Sequence, residues 1–482
     1  MMLAAPVVGY APAHLDEACA RFQRAYPRYD TTRCLDELRV REYGRLDRLG
    51  HVYLDHTGGA LYAESQLRDH MALLRDNVFG NPHSTNPTSL ASTQSGERAR
   101  ACVLDFFNAN PDEYAVIFTA NASSALRLVG EAYPFGPGDR YLLTFDNHNS
   151  VNGLREFARI RGAGTTYVPV VAPELRIDAD FLTRELDRVT PRRHHLFAYP
   201  AQSNFSGVQH DLEWIPRAQE RGWDVLLDAA SFAPCNRLDL SRWHPDFVPL
   251  SFYKIFGYPA GVGCLLARKA ALAKLRRPWF AGGTITIASV QGDGHYLAEG
   301  AAGFEDGTVN YLGLPAVEMG LRYIAGIGID RIHDRVACLS AWLLDELQAL
   351  RHSNDRPLIQ LYGPPTQAQR GGIVTINFRD PTGRLCDARR VEAAANAVNI
   401  SLRTGCFCNP GASEVAHGLT AADLAPFFNR AEPVRVEEFI AGRGDKTSGA
   451  VRISLGLVST FADVYRFMAF ARTLVDRPAA GV

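Results

Sequence analysis

FVPLSFYKIFGYPAGVGCLLA (residues 247–267) contains two apolar segments, 247–252 and 261–267, that have the length and composition of buried strands. Lys254 follows the first segment directly and has aromatic and aliphatic neighbours. Most lysines are solvated surface groups, but burial disfavours the ammonium form, so we expect a lowered pKa for this one. A neutral amine at the carboxyl end of a strand suits Schiff-base chemistry with a carbonyl compound.

The alternation of short apolar strands and amphipathic helices continues toward the N-terminus. Further strands are predicted at 115–119, 141–145, 165–171, 195–200 and 224–229, with helices at 123–132, 151–161, 178–189 and 212–222. Strands that alternate with helices form right-handed βαβ units. We therefore predict an α/β fold with a mostly parallel, seven-stranded sheet that is covered by helices on both faces.

The alternation of short strands and helices ends near residue 315, which indicates a second, smaller domain. Helical stretches then surround the strand-like segments 371–378 and 451–457, which is typical of an α+β domain. We predict three parts: an N-terminal segment (1–75) that packs with the small domain, a large domain (76–315) and a small C-terminal domain (316–482). The polar, glycine-interrupted stretch 430–449 is predicted to be a surface loop or insertion.

The composition is that of a globular protein that acts on a small molecule. Of 482 residues, 46% are hydrophobic and 21% charged, and 51 basic residues face 52 acidic ones. This balance lacks the positive field that non-specific binding to nucleic acid or an anionic membrane requires. The sequence shows no basic signal-peptide region and no membrane-length apolar run, and its nine cysteines do not form a disulfide pattern. We expect a cytoplasmic protein with neither nucleic-acid nor membrane partners.

Three polar features follow predicted strands. Asp228 ends one strand, where it could either cap a helix or hold a ligand at the carboxyl edge of the sheet. Residues 118–128 (FTANASSALRL) lead from a strand into a helix through small residues, which suits either an ordinary cap or an anion site. His148 could be a structural cap or could stack on a planar cofactor. The pairing of Asp228 with the later Lys254 favours ligand binding, because pyridoxal phosphate enzymes use a carboxylate to keep the pyridine nitrogen protonated.

The stretch RTGCFCNPGA (403–412) contains Cys406 and Cys408 in a segment rich in glycine and proline. No second pair of ligands has the spacing of a zinc site, so we expect no metal. We expect a flexible loop in which a cysteine near Arg403 acts as a thiolate nucleophile. The alternative is a pair of half-buried thiols that behave as small hydrophobic groups.

Seven stretches together resemble the class V aminotransferase family of fold-type I pyridoxal phosphate enzymes. The resemblance is closest to the NifS-like cysteine desulfurase domain of molybdenum cofactor sulfurases. In chain order the stretches are YLDHTGGALY (53–62), FGNPHSTNPTS (79–89), VIFTANASSALRLVGEA (116–132), SFYKIFGYPAGVG (251–263), FEDGTVNYL (304–312), LRTGCFCNPGA (402–412) and VRISLGLVST (451–460).

The resemblance implies pyridoxal 5'-phosphate as the cofactor. Lys254 would bind it as a Schiff base and later move the Cα proton of the substrate, Asp228 would hold the pyridinium, and His148 would stack on the ring. Other residues would contact the ring or the phosphate: the backbone of Ala122, Ser123, Asn204, Ser231, Ser251, Tyr253 and, from the other subunit of a homodimer, Thr308.

The resemblance also implies a substrate and a sulfur carrier. The substrate, L-cysteine, would bind through Asn204, Arg403 and Arg452, with Arg452 forming a bidentate fork to its carboxylate. Cys408 would accept the sulfur as a persulfide and pass it to an acceptor. The match ends before the molybdenum-cofactor domain of full-length sulfurases, so we expect an acceptor in trans.

Departures from the family pattern leave two alternatives open. Ser231 stands where many desulfurases have glutamine, Tyr253 replaces their usual histidine, and Ser413 stands where several cofactor sulfurases have cysteine. The first alternative is another pyridoxal phosphate enzyme of the same fold: a C–S lyase, an aminotransferase or a biosynthetic tailoring enzyme. The second is a non-catalytic scaffold, against which the retention of both Lys254 and Asp228 argues.

Overall fold

The structure, a computed structural model, describes residues 12–430, 432–435, 438–439 and 449–481. The chain begins with helices, one short strand and a further helix: α1 (Leu15–Ala25), α2 (Cys34–Tyr43), α3 (Arg45–Arg48), β1 (Val52–Tyr53) and α4 (Glu64–Asp76). Short 3₁₀ turns lie at Pro12–His14 and Pro27–Thr32. Most of the stretch predicted as a surface loop, 430–449, lies outside the described residues.

The large domain contains seven strands of one sheet and the helices between them. Its helices are α5 (Pro87–Phe106), α6 (Ala122–Ala132), α7 (Asn149–Asn152), α8 (Leu154–Ile160), α9 (Ala179–Leu186), α10 (Trp214–Gln219), α11 (Phe252–Phe256) and α12 (Lys269–Leu272). Its strands are β2 (Tyr114–Thr119), β3 (Arg140–Thr144), β4 (Gly164–Val168), β5 (Val170–Val171), β6 (Arg176–Ile177), β7 (His195–Pro200), β8 (Trp223–Asp228), β9 (Phe247–Ser251), β10 (Gly263–Arg268), β11 (Ile285–Ser289) and β12 (Gly294–Leu297).

The central sheet has the strand order β2-β10-β9-β8-β7-β3-β4. All neighbours are parallel except β10, which runs antiparallel to both β2 and β9. The predicted α/β class and the mostly parallel, seven-stranded sheet are confirmed. Strands β7, β8 and β9 are buried along their whole length because two apolar clusters cover the two faces of the sheet.

The C-terminal part of the chain contains a four-stranded antiparallel sheet with the order β13-β14-β17-β16. Its strands are β13 (Ile359–Tyr362), β14 (Ile373–Phe378), β15 (Ile400–Ser401), β16 (Arg403–Gly405) and β17 (Ala450–Ser454), of which β15 pairs with β1 instead. Its helices are α13 (Leu314–Ile327), α14 (Ile329–Ala349), α15 (Ala388–Asn396), α16 (Pro410–Ala416), α17 (Ala421–Phe428) and α18 (Phe461–Arg472).

The N-terminal segment is anchored on this C-terminal part. Strand β1 pairs in parallel with β15, and the fully buried Arg335 guanidinium on α14 binds the Asp36 carboxylate, with an Nη1–Oδ1 distance of 2.6 Å. Arg39 forms a second buried ion pair with Asp463 at 2.5 Å. These contacts place residues 52–59 beside the carboxyl edge of the central sheet. None of the helices within the described ranges is long and apolar enough to cross a bilayer.

Candidate active site

A cavity lies at the carboxyl edge of the central sheet, where β7, β8 and β9 end and the segments after β2 and β3 begin. Parallel strands present their carboxyl ends at one edge, which is where α/β sheets bind ligands. We call this space the edge cavity. Nine of the predicted cofactor residues line it: Ala122, Ser123, His148, Asn204, Asp228, Ser231, Ser251, Tyr253 and Lys254. The fold therefore brings together predicted residues that are up to 132 positions apart in the sequence.

Lys254 lies in α11, the single-turn helix that follows β9. The turn ends at Gly257, whose φ of 83° is a left-handed conformation, and a Cβ there would approach the backbone of Leu61 and Tyr62 to 2.4 Å. Glycine is therefore required for the chain to pass this close. Burial lowers the pKa of Lys254, Asp228 opposes the shift, and the cationic Arg452 adds to it. The expected direction of the shift is thus confirmed.

Two polar residues, Asp228 and His148, lie at one end of the edge cavity, at the end of β8 and shortly after β3. Asp228 ends β8, and its Oδ1 accepts a hydrogen bond from Ala230 N at 3.0 Å. His148 caps the short helix α7, with Nδ1 accepting from Ser150 N at 3.1 Å. Burial is the main cause of the lowered pKa of His148. An imidazole held neutral in this way can lie flat against an aromatic ring without carrying a charge into the cavity.

The other end of the cavity is formed by the N-terminus of α6. Asn121 caps this helix, Ala122 N donates to Ser251 Oγ at 2.9 Å, and the hydroxyls of Ser123 and Ser150 lie 2.7 Å apart. Helix N-termini and clustered hydroxyls attract anions, because unpaired N–H groups and the helix dipole both favour negative charge. The predicted Ala122 donor is already engaged by Ser251, so an entering phosphate would compete for that N–H group.

The two predicted substrate arginines are held together by an unpredicted acid. Asp55 accepts hydrogen bonds from Arg403 Nε and Nη2, the shortest at 2.6 Å, and from Arg452 Nη2 at 3.0 Å. Arg452 Nη1 donates to the carbonyl of Asn204 at 3.0 Å. Each end of the Arg452 fork that we predicted to bind a substrate carboxylate therefore already donates one hydrogen bond and keeps a second N–H. Its buried Nε has no hydrogen-bond partner within the described part of the chain.

Cys408 lies near Lys254 and Arg452, close enough that its charge affects the pKa of both. Its side chain is exposed, whereas that of Cys406 is half-buried. The loop that carries it is docked in the structure, and the flexibility that we predicted for it stays a prediction. Asn204 Nδ2 donates to the carbonyl of Phe407 at 2.6 Å, and Asn149 N donates to that of Cys408 at 2.7 Å.

Asn409 completes the docking of this loop. Its side chain is fully buried; Nδ2 donates to Asn204 Oδ1 at 2.8 Å and to the carbonyl of Asp146 at 2.7 Å, and Oδ1 caps α16 by accepting from Ala412 N. Pro410, which we expected to loosen the loop, is the first residue of α16. Phe407 and Cys408 both have φ of 56°, a left-handed conformation that side chains disfavour and that these hydrogen bonds sustain.

Thr308 does not line the edge cavity of its own chain. It is exposed, and its hydroxyl lies 3.5 Å from Asn81 Nδ2. The sequence also missed residues that the structure places at the site: Gln202 and Ser150 line the cavity, and Asp55 and Asn409 hold its arginines and its cysteine loop. Asp55 and Asn409 lie within the stretches YLDHTGGALY and LRTGCFCNPGA, and membership of these motifs was the sequence signal that could have identified them.

A lysine amine, a carboxylate and an imidazole at one end of a cavity, with a serine-lined helix N-terminus at the other, fit a planar aldehyde that carries a phosphate. Together with the sheet order, they define a protein with the fold of type I pyridoxal phosphate enzymes. The chain belongs to the class V aminotransferase family, since the model described as Aminotransferase class-V matches residues 52–467.

Among curated proteins, the chain is similar to the molybdenum cofactor sulfurases of Solanum lycopersicum and Homo sapiens. The tomato protein is 36% identical over 469 residues, covering 91% of this chain and 57% of the relative, and the human protein is 37% identical over 459 residues, covering 90% and 51%. The chain thus spans just over half the length of these relatives.

Solved structures show the same fold. A cysteine desulfurase from Thermococcus onnurineus NA1, in its apo form, has a TM-score of 0.74 at 24% identity and covers 91% of this chain and 98% of its own. The cystine C–S lyase C-DES in complex with cysteine persulfide has a TM-score of 0.67 at 19% identity and covers 88% and 98%.

Proposed function

We propose that this chain is a pyridoxal-phosphate-dependent cysteine desulfurase that converts L-cysteine to L-alanine and retains the sulfur as a persulfide on Cys408. The observation that supports this most strongly is the docking of Cys408 beside the edge cavity: its carbonyl accepts from Asn149 N, next to the cavity residue His148, and the carbonyl of Phe407 accepts from the cavity residue Asn204. A thiol at that position has no function in a simple aminotransferase. The similarity to molybdenum cofactor sulfurases over 90% or more of the chain supports the same activity.

The residues of the edge cavity would divide the binding of the cofactor between them. Lys254 would hold the aldehyde carbon, Asp228 the ring nitrogen, and Ser123, Ser251 and the N-terminus of α6 the phosphate. When bound, the protonated pyridine ring supplies an electron sink for charge that develops at the substrate Cα. Asp228 would sustain this by keeping the ring nitrogen protonated, and His148 would cover one face of the ring.

Lys254 and Cys408 would perform the two chemical tasks that the protein itself contributes. Once released from the cofactor carbon, the amine of Lys254 takes the proton from the substrate Cα, which its lowered pKa allows. The Cys408 thiolate then attacks the substrate sulfur: a new S–S bond forms and the Cβ–S bond breaks. The electron pair of that bond stays with Cβ, which is protonated to give the methyl group of alanine.

The partners that we propose are a sulfur acceptor in trans and a second copy of this chain. Thr308 is exposed and lies outside the edge cavity of its own chain, so its hydroxyl could reach the edge cavity of another subunit. Large apolar side chains are exposed in the surrounding segment: Trp279, Phe280, Ile287, Tyr296 and Leu312 are 42–74% exposed. Burial of such a surface would favour a homodimer. The cytoplasmic location remains a prediction from the sequence.

The test is a product assay with L-cysteine on the cofactor-loaded protein. We expect one alanine for each sulfur transferred, and a persulfide located on Cys408 by mass spectrometry. Cys408→Ala should abolish alanine formation while leaving the cofactor spectrum unchanged, and Cys406→Ala is the matched control in the same loop.

The same assay separates the C–S lyase alternative from the desulfurase. A lyase releases the sulfur compound by elimination and needs no protein thiol. Pyruvate and ammonia in place of alanine, with equal rates in the native protein and in Cys408→Ala, would therefore refute the desulfurase proposal. Failure of the purified protein to take up added pyridoxal phosphate would refute both and favour the scaffold.

A further inference from the structure

We infer that Asp55 determines the charge specificity of the site, by reducing two arginines to a single net positive charge and so selecting amino acids with one carboxylate. This inference rests on the proposed function, because it concerns how the same site recognises its substrate. Asp55 belongs to the stretch YLDHTGGALY, to which the proposed chemistry assigns no function.

The contacts of Asp55 use both of its oxygens. Oδ2 accepts from Arg403 Nε at 2.9 Å and from Nη2 at 2.6 Å, and Oδ1 accepts from Arg403 Nε at 3.1 Å and from Arg452 Nη2 at 3.0 Å. The Asp55 and Arg452 side chains are 10% and 3% exposed. The Arg403 side chain is 52% exposed, so solvent partly screens its contact, whereas the buried Asp55–Arg452 contact is weakly screened and the carboxylate acts there as a fixed counter-ion.

The charge count follows from these contacts. Two guanidinium groups and one carboxylate leave one net positive charge, which the α-carboxylate of a single amino acid can neutralise. Burial lowers the pKa of Arg452, and Asp55 opposes that shift. Without Asp55, the site would present two positive charges and would favour a ligand with two carboxylates.

Asp55 also decides which donors remain for a ligand. Arg452 Nη1 donates to the carbonyl of Asn204 and Nη2 to Asp55, whereas its Nε is buried without a hydrogen-bond partner within the described residues. A buried, unpaired N–H of a charged group is costly, and an incoming carboxylate oxygen would satisfy it. Asp55 is therefore a positioning residue: it takes one N–H of Arg452 and leaves the Nε–H and the second hydrogens of Nη1 and Nη2 for a substrate carboxylate.

Gly58 gives a second way to disturb the same carboxylate. A Cβ at this position would lie 2.4 Å from Asp55 Oδ2 and 2.9 Å from Arg403 Nη2. Contacts below about 3 Å are not tolerated, so Gly58→Ala must displace the Asp55 carboxylate or the Arg403 guanidinium. This variant breaks the cluster without removing a charge.

The test compares L-alanine with L-aspartate, which share the α-amino-acid frame and differ by one carboxylate. Their dissociation constants are measured on the cofactor-loaded, full-length protein from the change in cofactor absorbance. We expect the native protein to bind L-alanine more tightly, and Asp55→Asn to shift the ratio of the two constants toward L-aspartate by at least fivefold. Asp55→Glu, which keeps the charge, should retain the native preference.

The controls separate charge selection from a structural role. Asp36→Asn removes the carboxylate that pairs with the buried Arg335, and it should leave the ratio unchanged. Gly58→Ala keeps every charge but separates the Asp55 carboxylate from the Arg403 guanidinium and so weakens the charge compensation. It should shift the ratio in the same direction as Asp55→Asn but by a smaller factor, which provides a second test if Asp55→Asn folds poorly. If Asp55→Asn weakens both ligands equally or leaves the ratio within twofold of native, the inference is wrong. If the native protein responds to neither ligand, the proposed function fails instead.

Discussion

Asn409→Ala should uncouple the cysteine loop from the active site. The substitution removes the cap of α16, which is worth about 1 kcal/mol, and two hydrogen bonds from Nδ2, worth roughly 1 kcal/mol each. The cap is local to α16, so only the two Nδ2 bonds, about 2 kcal/mol in total, act against the docked position of Cys408. At about 1.4 kcal/mol for each factor of ten, the ratio of docked to undocked loop should fall by roughly 30-fold.

The assay is a single turnover with L-cysteine, in which alanine is measured against time. We expect the rate to fall by about fourfold for a native docked-to-undocked ratio near ten, and by up to about 30-fold for a native loop that is mostly undocked. The strain at Phe407 and Cys408 acts in the same direction, since undocking relieves a left-handed backbone.

A matched control loses a helix cap elsewhere in the chain. Asp178 caps α9 by accepting from Phe181 N at 2.8 Å, so Asp178→Ala should cost a similar cap energy without slowing the turnover. A rate for Asn409→Ala within threefold of native, at a normal cofactor content, would refute the docking argument. Equal slowing in both variants would also refute it, because the effect would then reflect general destabilisation.

Three further outcomes follow from the site. Arg452→Gln removes a cation that lowers the pKa of Lys254, so the pH midpoint for uptake of pyridoxal phosphate by the apo-protein should move to higher pH. Stopped-flow absorbance at several pH values measures this midpoint. A shift to lower pH would contradict the effect of Arg452 on Lys254. Ser251→Ala removes a hydroxyl that we propose donates to the phosphate, and it also frees Ala122 N. Because a hydrogen bond to a charged group is worth more than the neutral Ala122–Ser251 bond, the dissociation constant for pyridoxal phosphate should rise about tenfold, whereas an unchanged value in equilibrium dialysis would exclude Ser251 from the phosphate subsite. The Lys254→Ala protein should retain no pyridoxal phosphate after borohydride treatment and denaturation. Cofactor that stays bound would place the covalent link on another residue.

Much of the fold could be predicted because its signals are local. Each predicted strand of the central sheet was found within a few residues, since a strand buried on both faces is a continuous apolar run. The direction of β10 was not predicted, although the sequence contains a hint: the connection between β9 and β10 is too short for the crossover that a parallel pair requires.

The candidate site was predicted less completely, because some of its contacts join distant parts of the chain. Lys254 and Asp228 could be identified from their own neighbourhoods. The partner of Arg452, in contrast, is Asp55, on a segment that only the folded structure brings near. The docking of the cysteine loop depends on Asn409 and Asn204, and no composition rule connects them. These buried amides hold the glycine-rich loop in the docked position that the structure shows, and its flexibility stays a prediction.

The pairing of β1 with β15 has a consequence for how the chain acquires its structure during synthesis. Val52 and Leu54 are fully buried, yet the strand that covers them begins at Ile400. At translation rates of about 5–20 residues per second, this apolar segment is synthesised tens of seconds before its partner strand β15 leaves the ribosome. The large domain can fold in the meantime, while the N-terminal segment depends on the last strands for completion. Nascent chains arrested before residue 400 should therefore bind chaperones through this early segment and release them once the final strand has been made.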